Sequence, residues 1–290
     1  MRNFTYRKMQ VTAAAVAAGA IMTTGALAAA GTAQAAPPSQ APSARTASQA
    51  VTTHVPLSAM PQGTVTLFRD QGGTVAVTVR AFGLTPGSSH AVALVDDHGL
   101  VTGHFGLLTA DAAGQASATL HSKAGHVGHG THLIIRNGDG AGQVANEVIA
   151  QTGATGQGFG TYRLIPVEVS ANGANFGVPL GIATIRYNPS ARAISVTVNA
   201  SGLTPGAHAA HIHVGSCAAQ GPVKYMLMDY VANGRGLIIN ETRTVTHVTT
   251  PPPASGWYLN LHQGNGNNIL DAAGNPTINF RPLLCGNIVR

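Results

Sequence analysis

Short segments in which apolar and polar residues alternate recur along the chain after its first 60 residues. Clear examples are VAVTV at residues 75–79 and ISVTV at residues 194–198. Alternation with a period of two places the apolar side chains on one face of a β-strand. Val, Ile, Thr and Gly are frequent, whereas the Glu, Lys, Leu and Arg that favour helices are sparse. The pattern therefore predicts an almost entirely β protein.

The pentamer GLTPG occurs twice, beginning at Gly83 and at Gly202, and each copy follows one of these alternating segments. Pro at the second position of a turn, with Gly after it, favours a turn at both places. Farther along, LIIRNGDG at residues 133–140 matches LNLHQGNG at residues 259–266 more loosely. The spacing between the copies exceeds the length of solenoid repeats, so we expect two duplicated β domains.

The first 35 residues have a different character. Arg2, Arg7 and Lys8 precede an Ala-rich apolar stretch, and Ala33–Ala35 supplies the small residues that signal peptidase requires. They predict a signal peptide cleaved near Ala35 and a secreted, extracytoplasmic protein. Residues 36–60 are rich in Ala, Pro, Ser and Thr and predict a flexible linker.

Two domains follow the linker in this prediction. The first covers residues 61–155 and is the degenerate copy, and the second covers residues 161–290. Together they span a length that suits two modest β domains.

Charged residues make up only 9% of the chain, where soluble domains average about 25%. With 44% hydrophobic residues, this composition excludes a charge-rich disordered chain. No apolar run after the N-terminal segment is long enough to span a bilayer. The net charge of +6 falls to +3 without residues 1–35, and no stretch combines clustered Lys or Arg with aromatic residues. We therefore expect no nucleic-acid partner.

Three histidines in the second copy are the candidate chemistry. In the alternating segment around residues 210–214, His211 and His213 lie on the face opposite the apolar residues and should point outward. Such a pair can bind one metal ion, although a polar strand face is the commoner explanation for the pair alone. In WYLNLH at residues 257–262, the alternation places His262 on the outer face as well. Three imidazoles suit copper or zinc.

The first copy serves as an internal comparison for these histidines. The equivalent positions there are occupied by Val92, Leu94 and Arg136, none of which is a ligand. All three candidates are thus present in one copy and absent from the other, as expected for residues that act as a set.

Both cysteines, Cys217 and Cys285, lie in the second copy. In a secreted protein two cysteines most simply form a disulfide, and two unpaired thiols are the alternative. The chain-entropy model gives such a bond about 4 kcal/mol of stabilisation.

The runs GLTPGAHAAHIHVGSC at residues 202–217 and RPLLCGNI at residues 281–288 resemble the Cu/Zn superoxide dismutases. The resemblance implies an eight-stranded Greek-key β-sandwich and a secreted copper enzyme that dismutates superoxide. It also implies a Cys217–Cys285 disulfide. The implied site consists of copper ligands His211, His213 and His262, a loop-bracing His208, and a catalytic Arg281 that attracts the superoxide anion.

The chain also departs from that family. Between Val214 and Thr246 it has no histidine and a single acidic side chain before Glu241, Asp229. The zinc site and the bridging histidine of the family therefore have no counterpart here, and copper is the only cofactor expected. Arg281 lies four residues before Cys285, where the family has a spacing of three.

A second resemblance points elsewhere. The segments AHIHVG at residues 210–215, GPV at residues 221–223 and GWYLNLH at residues 256–262 are similar to the CHRD domain of secreted proteins. This resemblance implies a non-catalytic extracytoplasmic binding or structural module. Both interpretations stay open at the level of sequence.

Met226 and Met228 share one face of a plausible strand over residues 224–228. A thioether is a soft ligand for copper, but core packing is the more common role of methionine and is the one we expect. Histidines also crowd residues 121–132. Such a stretch can bind metal ions, but a polar, mobile loop is the commoner explanation and the one we expect.

Overall fold

The computed structural model describes residues 50–122, 127, 130–138, 147–153, 158–169 and 175–290. Within these ranges the chain forms twenty β-strands and one short 3-10 helix, Ile278–Phe280. The prediction of an all-β fold of the sandwich type is confirmed, while the Greek-key and tandem arrangements remain predictions. No helix in the described part of the chain is long and apolar enough to cross a membrane. The predicted signal peptide and residues 36–49 lie outside the described ranges, as do His126 and His129.

Eight antiparallel strands form the first sheet, in the order β5-β4-β7-β8-β9-β2-β3-β6. These strands are β2 (Gln62–Arg69), β3 (Val75–Phe82), β4 (Ser89–Val95), β5 (Val101–Thr109), β6 (Gln115–Ser122), β7 (His132–Arg136), β8 (Val148–Thr152) and β9 (Gly160–Pro166). The sheet curls around one apolar core, in which Val75, Val77 and Val79 are fully buried. The alternation in the sequence therefore predicts the buried face of β3 correctly.

The second sheet also has eight antiparallel strands, in the order β16-β15-β19-β20-β1-β12-β13-β18. They are β1 (Val51–Ala59), β12 (Leu180–Asn188), β13 (Ala193–Ser201), β15 (Ala210–Val214), β16 (Val223–Met226), β18 (Ile238–Val245), β19 (Trp257–His262) and β20 (Pro282–Ile288). Two short pairs complete the described strands: β10 (Glu168–Val169) with β11 (Asn175–Gly177), and β14 (Gly206–His208) with β17 (Tyr230–Ala232).

The order of the second sheet repeats that of the first, except that β1 occupies the place that β9 has in the first sheet. Val51–Ala59 is thus a strand paired with β12 and β20, although its composition predicts the end of a linker. The sequence signal that was missed is the alternation of Val55 and Leu57 with polar or exposed residues, since both side chains are buried in the second core. The predicted second domain, residues 161–290, would begin inside a strand of the first sheet, because Gly160–Pro166 pairs with β2 and β8.

The outer faces of both sheets carry pairs of hydroxyl side chains on neighbouring strands. Cross-strand pairs of Thr hydroxyls lie within hydrogen-bonding distance at Thr66–Thr161, Thr78–Thr119 and Thr197–Thr242. Pairs of this kind stabilise an exposed face without ion pairs.

The single disulfide joins Cys217, in the loop after β15, to Cys285 in β20. This confirms the predicted pairing. The Cys217 N–H also donates to Asn287 Oδ1 at 2.9 Å. The bond therefore fixes the loop that follows two of the candidate ligands against β20, a central strand of the second sheet.

Candidate metal centre

The structure brings His211, His213 and His262 together, and we refer to them as the histidine triad. His211 and His213 lie on β15, and His262 ends the neighbouring strand β19. One ring nitrogen from each histidine lies within 4.8 Å of one from each of the others. Alternate residues of both strands, such as Ile212 and Leu259, enter the second core. The triad is therefore on the opposite face of the sheet.

The sequence predicts that the triad faces solvent. In the structure, other side chains cover the triad, and it is buried. The exposed fractions of His211, His213 and His262 are only 3%, 2% and 0%. The Phe280 ring of the 3-10 helix lies 4.5 Å from the His262 ring, and Tyr258 stacks on His213 at 4.8 Å between ring centroids. The outer face of the strands is thus a second, small interior.

Backbone carbonyls set the protonation of two of the three rings. His213 Nδ1 lies 2.9 Å from the Gly221 carbonyl oxygen, and His262 Nδ1 lies 2.6 Å from that of Phe280. Since a carbonyl oxygen only accepts, both Nδ1 atoms must carry the proton and donate it. Both Nε2 atoms then present lone pairs.

The two Nε2 lone pairs have different surroundings. His262 Nε2 lies 3.1 Å from His211 Nδ1, which donates to it when both rings are neutral. His213 Nε2 is buried and has no hydrogen-bond partner in the described part of the chain. Asn260, directly opposite His211 on β19, is fully buried, and both of its side-chain amide atoms also lack a partner there.

Burial keeps the triad neutral. Desolvation, followed by the charge of His213, lowers the pKa of His211 to about 4. Desolvation also lowers the pKa of His213, although the hydrogen bond to Gly221 opposes this. The pKa of His262 lies well below its ordinary value, first because of burial and then because of His211 and His213. Neutral imidazole is the form that binds metal ions.

His208 is buried beside the triad. Its Nδ1 lies 2.9 Å from the His262 carbonyl oxygen and its Nε2 lies 2.8 Å from that of Thr204. These contacts connect the turn after β13 to the end of β19. A bracing role for His208 remains a prediction that this position suits.

Arg281 does not have the surroundings that its predicted role requires. Its side chain is fully buried, and Nη2 donates to Glu168 Oε2 at 2.7 Å while Nε donates to Gln263 Oε1 at 2.9 Å. A guanidinium that is paired with a carboxylate and shielded from solvent presents no free charge to an incoming anion. This placement argues against the attraction of superoxide by Arg281.

The partners of Arg281 form a buried network that the sequence did not predict. Gln263 Nε2 donates to both carboxylate oxygens of Glu147, and Asn137 Nδ2 donates to Glu147 Oε2 at 2.9 Å. Asn137 and Glu147 flank β7 and β8 of the first sheet, so the network joins the two sheets. Burial raises the pKa of Glu168, while Arg281 opposes that rise.

The structure shifts the alignment of the two copies by one residue at β4, relative to the alignment predicted from the sequence. Val92 and Leu94 belong to the first core, whereas the two histidines matched to them lie on the face away from the second core. The two copies align better when their buried cross-strand pairs are matched, Val92–Ile135 in the first and Ala210–Leu261 in the second. In this alignment Ala93 and Val95 are the equivalents of His211 and His213. Arg136 remains the equivalent of His262.

The corrected positions preserve the contrast between the copies. Ala93 and Val95 are buried with Ile134 in a small apolar cluster on the outer face of the first sheet. The first copy therefore has apolar packing on the face where the second has the triad.

Residues 139–268 of this chain match the CHRD domain family. This range contains the whole histidine triad but covers less than half of the chain. The CHRD resemblance is confirmed in this region, whereas the resemblance to superoxide dismutases gains no such support. No curated protein matches the sequence.

Proposed function

We propose that the protein is an extracytoplasmic, non-catalytic module of the CHRD type that binds one transition-metal ion through His211, His213 and His262. The observation that carries the proposal is the buried Nε2 of His213, which has no partner among the residues that the structure describes and whose lone pair is set by the Gly221 carbonyl. A buried polar atom without a partner costs about 1–3 kcal/mol. A bound metal ion would remove this cost.

The donor set suits copper or zinc. Three neutral imidazoles are typical ligands for these ions and poor ligands for calcium or magnesium. His213 and His262 would bind through Nε2, and His211 through Nδ1 after its proton moves to Nε2. Because the ligands come from two neighbouring strands, the ion would cross-link β15 to β19 and stabilise the second sheet.

The surroundings favour a binding or structural role over catalysis. Dismutation requires a coordination position open to superoxide and a cation that draws the anion in. Phe280 and Tyr258 cover the triad, and Arg281 is paired with Glu168. The disulfide supports an oxidising, extracytoplasmic location.

Elemental analysis of the full-length protein purified from culture medium tests the proposal. We expect about one equivalent of copper or zinc in the wild type, because the three imidazoles can bind one ion between them. His262→Ala should lose the metal, and His104→Ala, which changes an exposed histidine of β5, should retain it. Circular dichroism would confirm that both variants fold. Equal metal content in the wild type and His262→Ala would refute the proposal.

A further inference from the structure

Two methionines beside the triad are exposed. The exposed fractions of Met226 and Met228 are 59% and 77%, which corrects the expectation that they pack in the core. Tyr225 packs against the second core and Leu227 is buried in it. Because neighbouring residues of an extended chain point to opposite sides, both methionines face away from that core.

The strand pairing places the methionines next to the triad. Met226 lies directly opposite His211 in the antiparallel pair of β15 and β16. Side chains of directly opposite residues share one face of a sheet, so Met226 is on the same face as the triad. β16 is an edge strand of the second sheet, and Val223 and Met226 on it are exposed.

The next residue connects the methionines to the loop after His262. Both carboxylate oxygens of Asp229 accept from the Gly266 N–H, at 3.1 and 3.2 Å. Gly266 lies in the segment that connects β19 to the 3-10 helix, and Phe280 of that helix covers the triad. Met226 thus lies on the strand beside the triad, and Met228 lies two residues farther along, next to a carboxylate that favours a cation.

From this arrangement we propose that Met226 and Met228 form a surface site that captures Cu(I) and delivers it to the histidine triad. The inference rests on the proposed function, since it needs a triad that binds metal, and it names the metal. Thioethers are soft ligands that select Cu(I), whereas zinc is bound by thiolate, imidazole and carboxylate. The surface site therefore distinguishes copper from zinc where the triad accepts both.

Delivery is a ligand exchange without electron transfer. Copper–sulfur bonds to Met226 and Met228 break as copper–nitrogen bonds to the triad form, and the ion remains Cu(I). His211 moves its ring proton from Nδ1 to Nε2 by exchange with water, so no net proton is released.

The experiment measures anaerobic transfer of Cu(I) from bicinchoninate to the full-length protein. In the double variant Met226→Leu/Met228→Leu the volume is nearly conserved. We expect transfer to slow by about tenfold, the lower end of the losses seen when a group near a metal is removed. Zinc affinity should remain unchanged. Met60→Leu, the same change at a buried site, should behave as the wild type.

X-ray absorption isolates the surface site. In His262→Ala loaded with one equivalent of Cu(I), we expect copper–sulfur scattering, which should vanish when both methionines are also replaced. Wild-type transfer rates in the double variant, with metal still lost in His262→Ala, would overturn the inference and leave the proposed function intact. Metal retained in His262→Ala without sulfur scattering would refute the proposed function itself. Loss of zinc binding in the double variant would show that the methionines support the fold, and would also overturn the inference.

Discussion

The two sheets have the same strand order, yet the outer faces of their equivalent strands carry different side chains. In the first sheet Ala93, Val95 and Ile134 form a small apolar cluster. In the second sheet the same face holds the histidine triad, buried under Phe280 and Tyr258. The fold can therefore fill this face with apolar residues, so the histidines are not a requirement of the architecture. This difference is the main argument for a specific role.

The sheets also differ in how they are completed. The first sheet uses β9, which follows its other strands in the chain, while the second uses β1, which precedes all of the first sheet. The second sheet consequently depends on a segment far from the rest of it in sequence. The buried network around Arg281 and Glu147 adds a second connection between the sheets.

Low pH should produce the largest difference in stability between the two sheets. Burial lowers the pKa of His90 in the first sheet and of His211 in the second to about 4, from the ordinary 6.5. Above pH 6.5 neither folded nor unfolded protein binds these protons, but as the pH falls toward 4 only the unfolded chain does. Each such histidine then lowers the stability of the folded state by about 2 kcal/mol at pH 5.

The pKa values of His213 and His262 are lowered as well, so the second sheet of the metal-free protein should lose stability at a higher pH than the first. Hydrogen exchange followed by mass spectrometry between pH 7 and 5, corrected for intrinsic rates, resolves the two sheets. Simultaneous loss of protection in both sheets would contradict this difference.

Breaking the network between the sheets should have the next largest effect. In Arg281→Met the buried carboxylate of Glu168 loses its partner, and removal of one member of a buried pair costs about 3–5 kcal/mol. Urea unfolding measures the loss. The double variant Arg281→Met/Glu168→Gln should recover part of it, and a single variant as stable as the wild type would exclude a stabilising pair.

Matched truncations test the exchange of β1 for β9. Leu57 on β1 and Leu164 on β9 are both buried, in the second and first cores respectively. Each change to alanine should cost about 2–5 kcal/mol. Hydrogen exchange should show Leu57→Ala loosening the second sheet and Leu164→Ala the first. Loosening of the first sheet alone by Leu57→Ala would contradict the place of β1 in the second sheet.

The smallest effect is expected from giving the second sheet a residue of the first. His213→Val, which copies Val95, removes the unpartnered Nε2 but also the hydrogen bond to Gly221. These changes oppose each other, so the metal-free stability should shift by only about 1 kcal/mol. Metal binding should nevertheless be lost. A large loss of metal-free stability in urea would mean that the fold itself requires His213.

Local patterns predict the strands and the shared face of the triad, because alternation depends only on neighbouring residues. They do not predict the cover over His262, since Phe280 reaches it from the 3-10 helix through contacts between distant segments. Composition hides β1 because its Pro, Ser and Thr resemble a linker, although Val55 and Leu57 alternate. The predicted role of Arg281 does not suit its surroundings, because a short motif does not show that the side chain is buried and paired with Glu168.

The most direct test of the central claim is the free energy of unfolding measured with and without Zn(II). A ligand that binds only the folded state stabilises it by about 2.7 kcal/mol at a concentration one hundred times its Kd. We predict this gain for the wild type and for His104→Ala, and no gain for His262→Ala. An equal gain in all three proteins, or none in the wild type, would contradict a metal site at the histidine triad.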